Sequence, residues 1–312
     1  MSALNVAEER SVALPERAAL QQHATRPFLW LVRRELWENP SIVVAPVAVA
    51  AVIVFGFFVA AIRFSGKVFI SVNQDPVGAI AVAMIPLFFV AFALGITMLF
   101  TGVFYSLDAL HSERRDRSIL FWKSLPVSDR ETVLSKLTLP MAVLPIVTFA
   151  VALAAQILIF LIENGAMLAH GGSLRALWTQ LPIPAALTAF LYGLITTTLW
   201  YAPIYAWLML VSAWARRAAL IWAVVPFFIL AIFEKIAFRT HYVVDLVKYR
   251  ISGGFLAAFA QDPGLHQNRA TVPLSDLTPA HFFASPGLWT GLVFAALVVV
   301  LLIRMRRYRE PI

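Results

Sequence analysis

Six stretches of the chain are predominantly apolar, and segments dense in charge separate them. A helix that crosses ~30 Å of hydrocarbon needs about 20 mostly apolar residues. Runs at 42–62, 77–105, 137–162, 181–211 and 288–303 meet or approach that length, and a further run at 218–233 is short and carries Pro226. None of the six contains Asp, Glu, Lys, Arg or His. The pattern predicts an all-α membrane protein whose single six-span domain occupies residues 41–311.

The polar segments between these runs are patterned too. In residues 26–38, Phe28, Leu29, Val32 and Leu36 recur at three- and four-residue spacing, Trp30 and Trp37 stand seven apart, and Arg33, Arg34 and Glu38 fill the remaining face. That is an amphipathic helix suited to the water–lipid boundary. Asn39-Pro40-Ser41 ends it, because Pro40 restricts Asn39 and starts a new helix direction. The segment 106–136 joins the second and third runs. It holds a mixed-charge stretch, then Ile119, Leu120, Phe121 and Trp122, then Pro126. Ser128 with Glu131 three residues later forms a capping box that opens the next helix. The segment is expected to be two helical pieces around a Pro126 turn. Its aromatic residues ringed by arginines suit a protein contact, and they equally suit dipping into the lipid interface.

A long segment, 234–287, precedes the last run. Within it residues 251–260 form an apolar decamer, too short to cross and so expected to be re-entrant or interfacial. Residues 1–25 are polar and mixed in charge, with no apolar core or cleavage site of a signal peptide, and are expected to be a flexible cytoplasmic tail.

Composition agrees with the spans: 61% of residues are hydrophobic and 13% charged, more apolar than a soluble chain could cover. The net charge of +8 would suggest nucleic acid, but its placement argues otherwise. With six spans, 17 of the 25 Lys and Arg residues fall on the face that bears both termini. By the positive-inside rule that face is cytoplasmic, and no nucleic-acid partner is expected.

Several chemistries are missing from the text of the chain. There is no cysteine, no GxxxxGK[ST] phosphate loop, no HExxH and no GxSxG. His170, His241, His266 and His281 match no ligand spacing, so neither a metal site nor a catalytic residue is assigned and no cofactor is expected in this chain. Proton- and ion-coupled transporters keep ionisable groups at membrane depth. Here the polar residues at that depth include Gln156, Thr197, Tyr201 and Tyr205, the last three on one face of the fourth run and close to Pro203. They could line a pathway for an amphipathic solute, or act as hydrogen-bonding glue between helices. Trp200, Trp207 and Trp214 repeat every seven residues there, as a packing seam or a lipid-facing ridge.

Taken together, an amphipathic leading helix, six spans and the loop SERRDRSILFWKSLPVSDRETVLSK resemble the type-2 ABC transporter permeases, membrane subunits of bacterial exporters. The resemblance covers most of the chain as architecture and about 25 residues as motif. It implies a coupling helix that docks into a separate ATPase subunit, with Glu113, Arg114, Arg115, Asp116, Arg117, Ile119, Leu120, Phe121, Trp122, Pro126 and Ser128 at the contact. It also implies a tight turn at Arg216-Arg217 and short outer helices before the sixth span. ATP and magnesium would then belong to the partner, and the permease would be a homodimer in the lipid of the bacterial inner membrane. Two other classes stay open: a membrane-embedded enzyme with its site in 234–287, using acids such as Asp245 and Asp262, and a non-transporting scaffold.

Overall fold

A computed structural model describes residues 27–74, 76–112, 128–169, 183–215, 217–259 and 277–308. The described residues are 92% helical and form no strand; their one β-type pairing is an isolated bridge between Phe259 and Leu277. In chain order the elements are α1 (Pro27–Glu38), α2 (Ser41–Gln74), α3 (Pro76–Asp108), α4 (Asp129–Thr138), a π-helical turn (Leu139–Val143) and α5 (Leu144–Ala169). Then come α6 (Ile183–Trp214), α7 (Ala219–Ala237), α8 (Tyr242–Ala258), α9 (Pro279–Ala284) and α10 (Pro286–Tyr308).

Six helices are long and apolar enough to cross a membrane: Ser41–Arg63, Met84–Asp108, Asp129–Ala169, Ile183–Trp214, Ala219–Ala237 and Pro286–Arg306. Two differ from the pattern read along the chain. The third is one continuous 41-residue rod, because α4 passes through the π-helical turn into α5; it therefore carries Lys136 and Glu163, which the apolar run at 137–162 left outside. The fifth is a full-length 19-residue helix that continues past Phe233 through Glu234 and Lys235. α6 runs unbroken through Pro203 and α7 through Pro226.

α6 is the centre of the bundle. It is apolar on all sides, as a buried helix must be, and 61% of its most apolar stretch is buried against 11% for α7. Small residues let the helices approach, which matters where lipid removes the usual hydrophobic drive: Ala202, Ala206 and Met209 of α6 pack on Ala295, Val298 and Leu302 of α10 and on Val133 of α4. A second cluster joins Ala50 and Ile53 of α2, Val90 and Leu94 of α3, and Ala152, Ala155 and Ile159 of α5.

The tryptophan repeat of α6 is a packing seam, and each ring takes a different partner. Trp200 is fully buried and donates its indole N–H to the Arg250 carbonyl of α8 at 2.9 Å. Trp207 donates to the Ala223 carbonyl of α7 at 3.3 Å and meets Phe227 edge-on, and Trp214 meets Trp222 edge-on at 5.0 Å. One ridge thus seats α7 and then α8.

Residues 251–258 of the expected decamer are the second half of α8. Its Gly253, Gly254, Ala257 and Ala258 form a small-residue face that seats on Trp200 and Phe282. A tight turn links α6 to α7, with Ala218 in the left-handed region at φ 51°. The α7–α8 turn is fixed by Glu234: its carboxylate accepts from the Thr240 hydroxyl at 2.6 Å and from the backbone N–H groups of Tyr242 and Val243 at 2.6 and 2.8 Å. A side chain from the end of one helix therefore satisfies the open donors at the start of the next, where the helix dipole favours negative charge.

Candidate functional site

The segment singled out by the sequence, Glu113, Arg114, Arg115, Asp116, Arg117, Ile119, Leu120, Phe121, Trp122 and Pro126, lies outside the described residues. Ser128 is described, and so are the attachments of both ends of the segment. Those attachments define the site.

At the leading end, α3 terminates at Asp108 and the chain turns against α6. The Ser212 hydroxyl oxygen accepts from the backbone N–H of Leu110 at 3.1 Å and of His111 at 2.9 Å. The His111 ring bonds the Ala215 carbonyl through Nδ1 at 3.2 Å. Two backbone N–H groups just past the end of α3 are thus satisfied by a side chain of the central helix, which ties the chain before residue 113 to the end of α6.

At the trailing end the capping box forms as the spacing predicts. Ser128 Oγ accepts from the Glu131 N–H at 3.2 Å, and the Glu131 carboxylate accepts from the Ser128 N–H at 3.0 Å. One residue on, Asp129 accepts from Arg306 Nε at 3.1 Å, which fixes the start of α4 to the end of α10.

Two turns further, Lys136 Nζ donates to Glu35 Oε1 of α1 at 2.8 Å, with both side chains almost wholly buried. Tyr105 of α3 donates its hydroxyl to the other Glu35 oxygen at 3.4 Å. This pair corrects the reading of α1. The helix exists as expected and ends at Asn39-Pro40, with the Asn39 side-chain amide capping the Glu35 carbonyl at 2.9 Å. Its buried face carries Leu31 and Glu35, with Val32 and Leu36 of the expected apolar face packed against the same core, while Leu29, Trp30 and Trp37 point outward. The ion pair decides the rotation: a lysine that must be buried at the base of the third span needs a carboxylate, and α1 turns to supply it. On the outer side of α1 the Arg33 guanidinium stacks over Trp30 and Trp37 at 5.4 and 4.6 Å from the ring centres, and Arg34 pairs with Glu38 at 2.7 Å. Aromatic rings carrying a cation suit a headgroup layer.

The described residues on either side of 113–127 are therefore braced, those before it to α6 and those after it to α1, α3 and α10. Sequence reading missed Glu35, Lys136, His111, Ser212 and Arg306 as parts of this frame. Only Lys136 left a signal, as a lone cation abutting an apolar run.

The four polar residues proposed to line a pathway occupy different surroundings. Gln156 sits on α5 among Ala152, Ala155 and Ile159, the residues that helix buries against α2 and α3. Tyr201 donates its hydroxyl to the Ile251 carbonyl of α8 at 2.7 Å. Tyr205 is fully buried, lies against Gly102 of α3, and its hydroxyl has no hydrogen-bond partner among the described residues. Thr197 is half-buried one turn before Tyr201. Among the candidate histidines, His281 bonds the Ala257 carbonyl at 3.1 Å, whereas His170 and His266 lie outside the described residues. No known protein family, curated protein or solved structure matches the chain at a significant level.

Proposed function

We propose that this chain is the membrane-spanning permease subunit of an ATP-binding cassette transporter, an exporter of the bacterial inner membrane with both termini in the cytoplasm. A separate ATPase subunit docks on residues 112–128 and supplies ATP and magnesium. The observation that carries the reading is the bracing of both ends of that segment: Ser212 holds the first, and the Ser128 capping box, Arg306 and Glu35 hold the second. A surface that only bound lipid would not need its ends tied to α1, α3, α6 and α10. A surface that received a mechanical push would.

The chain's other properties support the same reading. It has no phosphate loop of its own, so energy must come from a partner. Its basic residues favour the face on which the segment lies. A single six-span chain builds a thin wall, so two copies about a two-fold axis enclose the pathway, and the exposed apolar surface of α7 is free for that contact. The test is biochemical. The purified chain alone is expected to show no ATP turnover, and reconstitution with its ATP-binding subunit is expected to give turnover. Sustained hydrolysis by the pure single chain, surviving mock purification from cells lacking it, would contradict the reading.

A further inference from the structure

Arg250 occupies an unusual position on α8. It belongs to the packing face, one turn before Gly253 and Gly254, so its guanidinium is turned inward between α6 and α10 rather than out into water. It lies over the Trp200 ring at 4.9 Å from the centre and donates Nη1–H to the Gly287 carbonyl at 3.2 Å. The backbone of Gly291 passes so close that a methyl group there would take the place of Nη2. An arginine at a membrane edge ordinarily extends its head into water. This one is held.

The position falls at headgroup depth. Gly287 and Arg306 lie on the same helix, about 28 Å apart at 1.5 Å per residue, close to the thickness of the hydrocarbon core. Arg306 is engaged with Asp129 at the face that carries α1, so Arg250 stands at the opposite edge of the bilayer. The outward residues of α8 agree: Ile251, Phe255 and Leu256 are exposed and apolar, as lipid-facing residues are, and Tyr249 beside them is half exposed.

The guanidinium carries more donors than the protein uses. It has five N–H groups, and among the described residues a single hydrogen bond, to Gly287, engages it. No carboxylate among the described residues lies within ion-pair distance. Burial lowers its pKa from the ordinary arginine value, although a guanidinium stays protonated in a protein. The Tyr249 hydroxyl rests over Gly287 at the same spot, and none of the described residues bonds to it. Pinning α8 to a carbonyl would need one neutral donor. A partly desolvated cation with spare N–H groups and a neighbouring free hydroxyl is the donor set of an oxyanion site.

We infer that Arg250 and Tyr249, over the floor formed by Trp200, Gly287 and Gly291, bind the head of an anionic amphiphile, a phosphate- or carboxylate-headed molecule whose chain lies along Ile251, Phe255 and Leu256. The site does not depend on the permease reading; only the further step of treating the amphiphile as cargo rests on that reading. The experiment uses the full chain in dodecyl maltoside without any ATPase, so its failure leaves the transport reading untouched. Thermal unfolding is followed while dodecyl phosphate, inorganic phosphate or dodecyltrimethylammonium is titrated. Dodecyl phosphate is expected to raise the midpoint saturably, and the other two are not. Arg250→Gln is expected to weaken that response at least tenfold, Arg250→Lys less, and Tyr249→Phe a few-fold. Gly291→Ala, which displaces the guanidinium while keeping its charge, is expected to weaken it as Arg250→Gln does and decides the matter if Arg250→Gln does not fold. An equal response to inorganic phosphate would overturn the amphiphile assignment. An undiminished dodecyl phosphate response in Gly291→Ala, or in a folded Arg250→Gln, would overturn the site.

Discussion

Lys136 and Glu35, 101 residues apart in sequence, meet at 2.8 Å with 3% and 2% of their side chains exposed. The pair joins α1 to the base of the third span, two turns beyond Asp129. Two buried charges are expensive to desolvate, and their attraction roughly offsets that cost. Breaking the pair is another matter, because it strands one charge.

Lys136→Met is therefore expected to destabilise the chain by about 3–5 kcal/mol, and Glu35→Leu with Lys136→Met by much less. Thermal unfolding in a single detergent compares them. A double variant as unstable as the single one would show that the pair does more than neutralise itself.

The seat of α8 on Trp200 makes a second comparison. A Cβ on Gly254 would come within 2.5 Å of Trp200 Cγ, in a ring with no room to move, whereas a Cβ on Gly56 of α2 meets nothing within 4 Å. Gly254→Ala is expected to cost about 1–3 kcal/mol through overpacking. Gly56→Ala should instead stabilise by up to about 1 kcal/mol through helix propensity. Unfolding midpoints that shift in the same direction for both would refute the packing described for α8.

Orientation can be read directly, since the native chain has no cysteine. Arg217 lies in the exposed α6–α7 turn and Lys248 is exposed on α8. In intact spheroplasts an impermeant maleimide is expected to label Lys248→Cys and to reach Arg217→Cys only after permeabilisation. The reverse pattern would invert the topology.

What the chain revealed in advance depended on the range of the interactions involved. The spans were legible because a run of about 20 apolar residues is a local signal with few alternative meanings. The Ser128–Glu131 box and the stop at Asn39-Pro40 were legible because each is settled within four residues. Glu35 was not. It sits in a charged stretch between Arg34 and Glu38, and only a lysine far along the chain turns it inward. Arg250 likewise reads as one more basic residue in a polar segment until Gly287 and Gly291 of α10 are brought beneath it. A hint was present in Gly253, Gly254, Ala257 and Ala258, whose four-residue spacing marks a close-packing helix face one turn from Arg250.

The central claim is that residues 112–128 receive a separate ATPase, and Phe121 with Trp122 tests it most directly. A buried aromatic side chain covers ~150–250 Å², and truncating a central anchor costs about 2–4 kcal/mol of association. Glu113, Arg114, Arg115 and Arg117 would form a charged rim whose removal costs less and depends on salt. The measurement is recovery of the ATP-binding subunit with the tagged chain, at two salt concentrations, for the native protein and for Phe121→Ala with Trp122→Ala. The account predicts that the double variant inserts normally and loses its partner at both salt concentrations. Undiminished recovery of the partner by a correctly inserted double variant would contradict it.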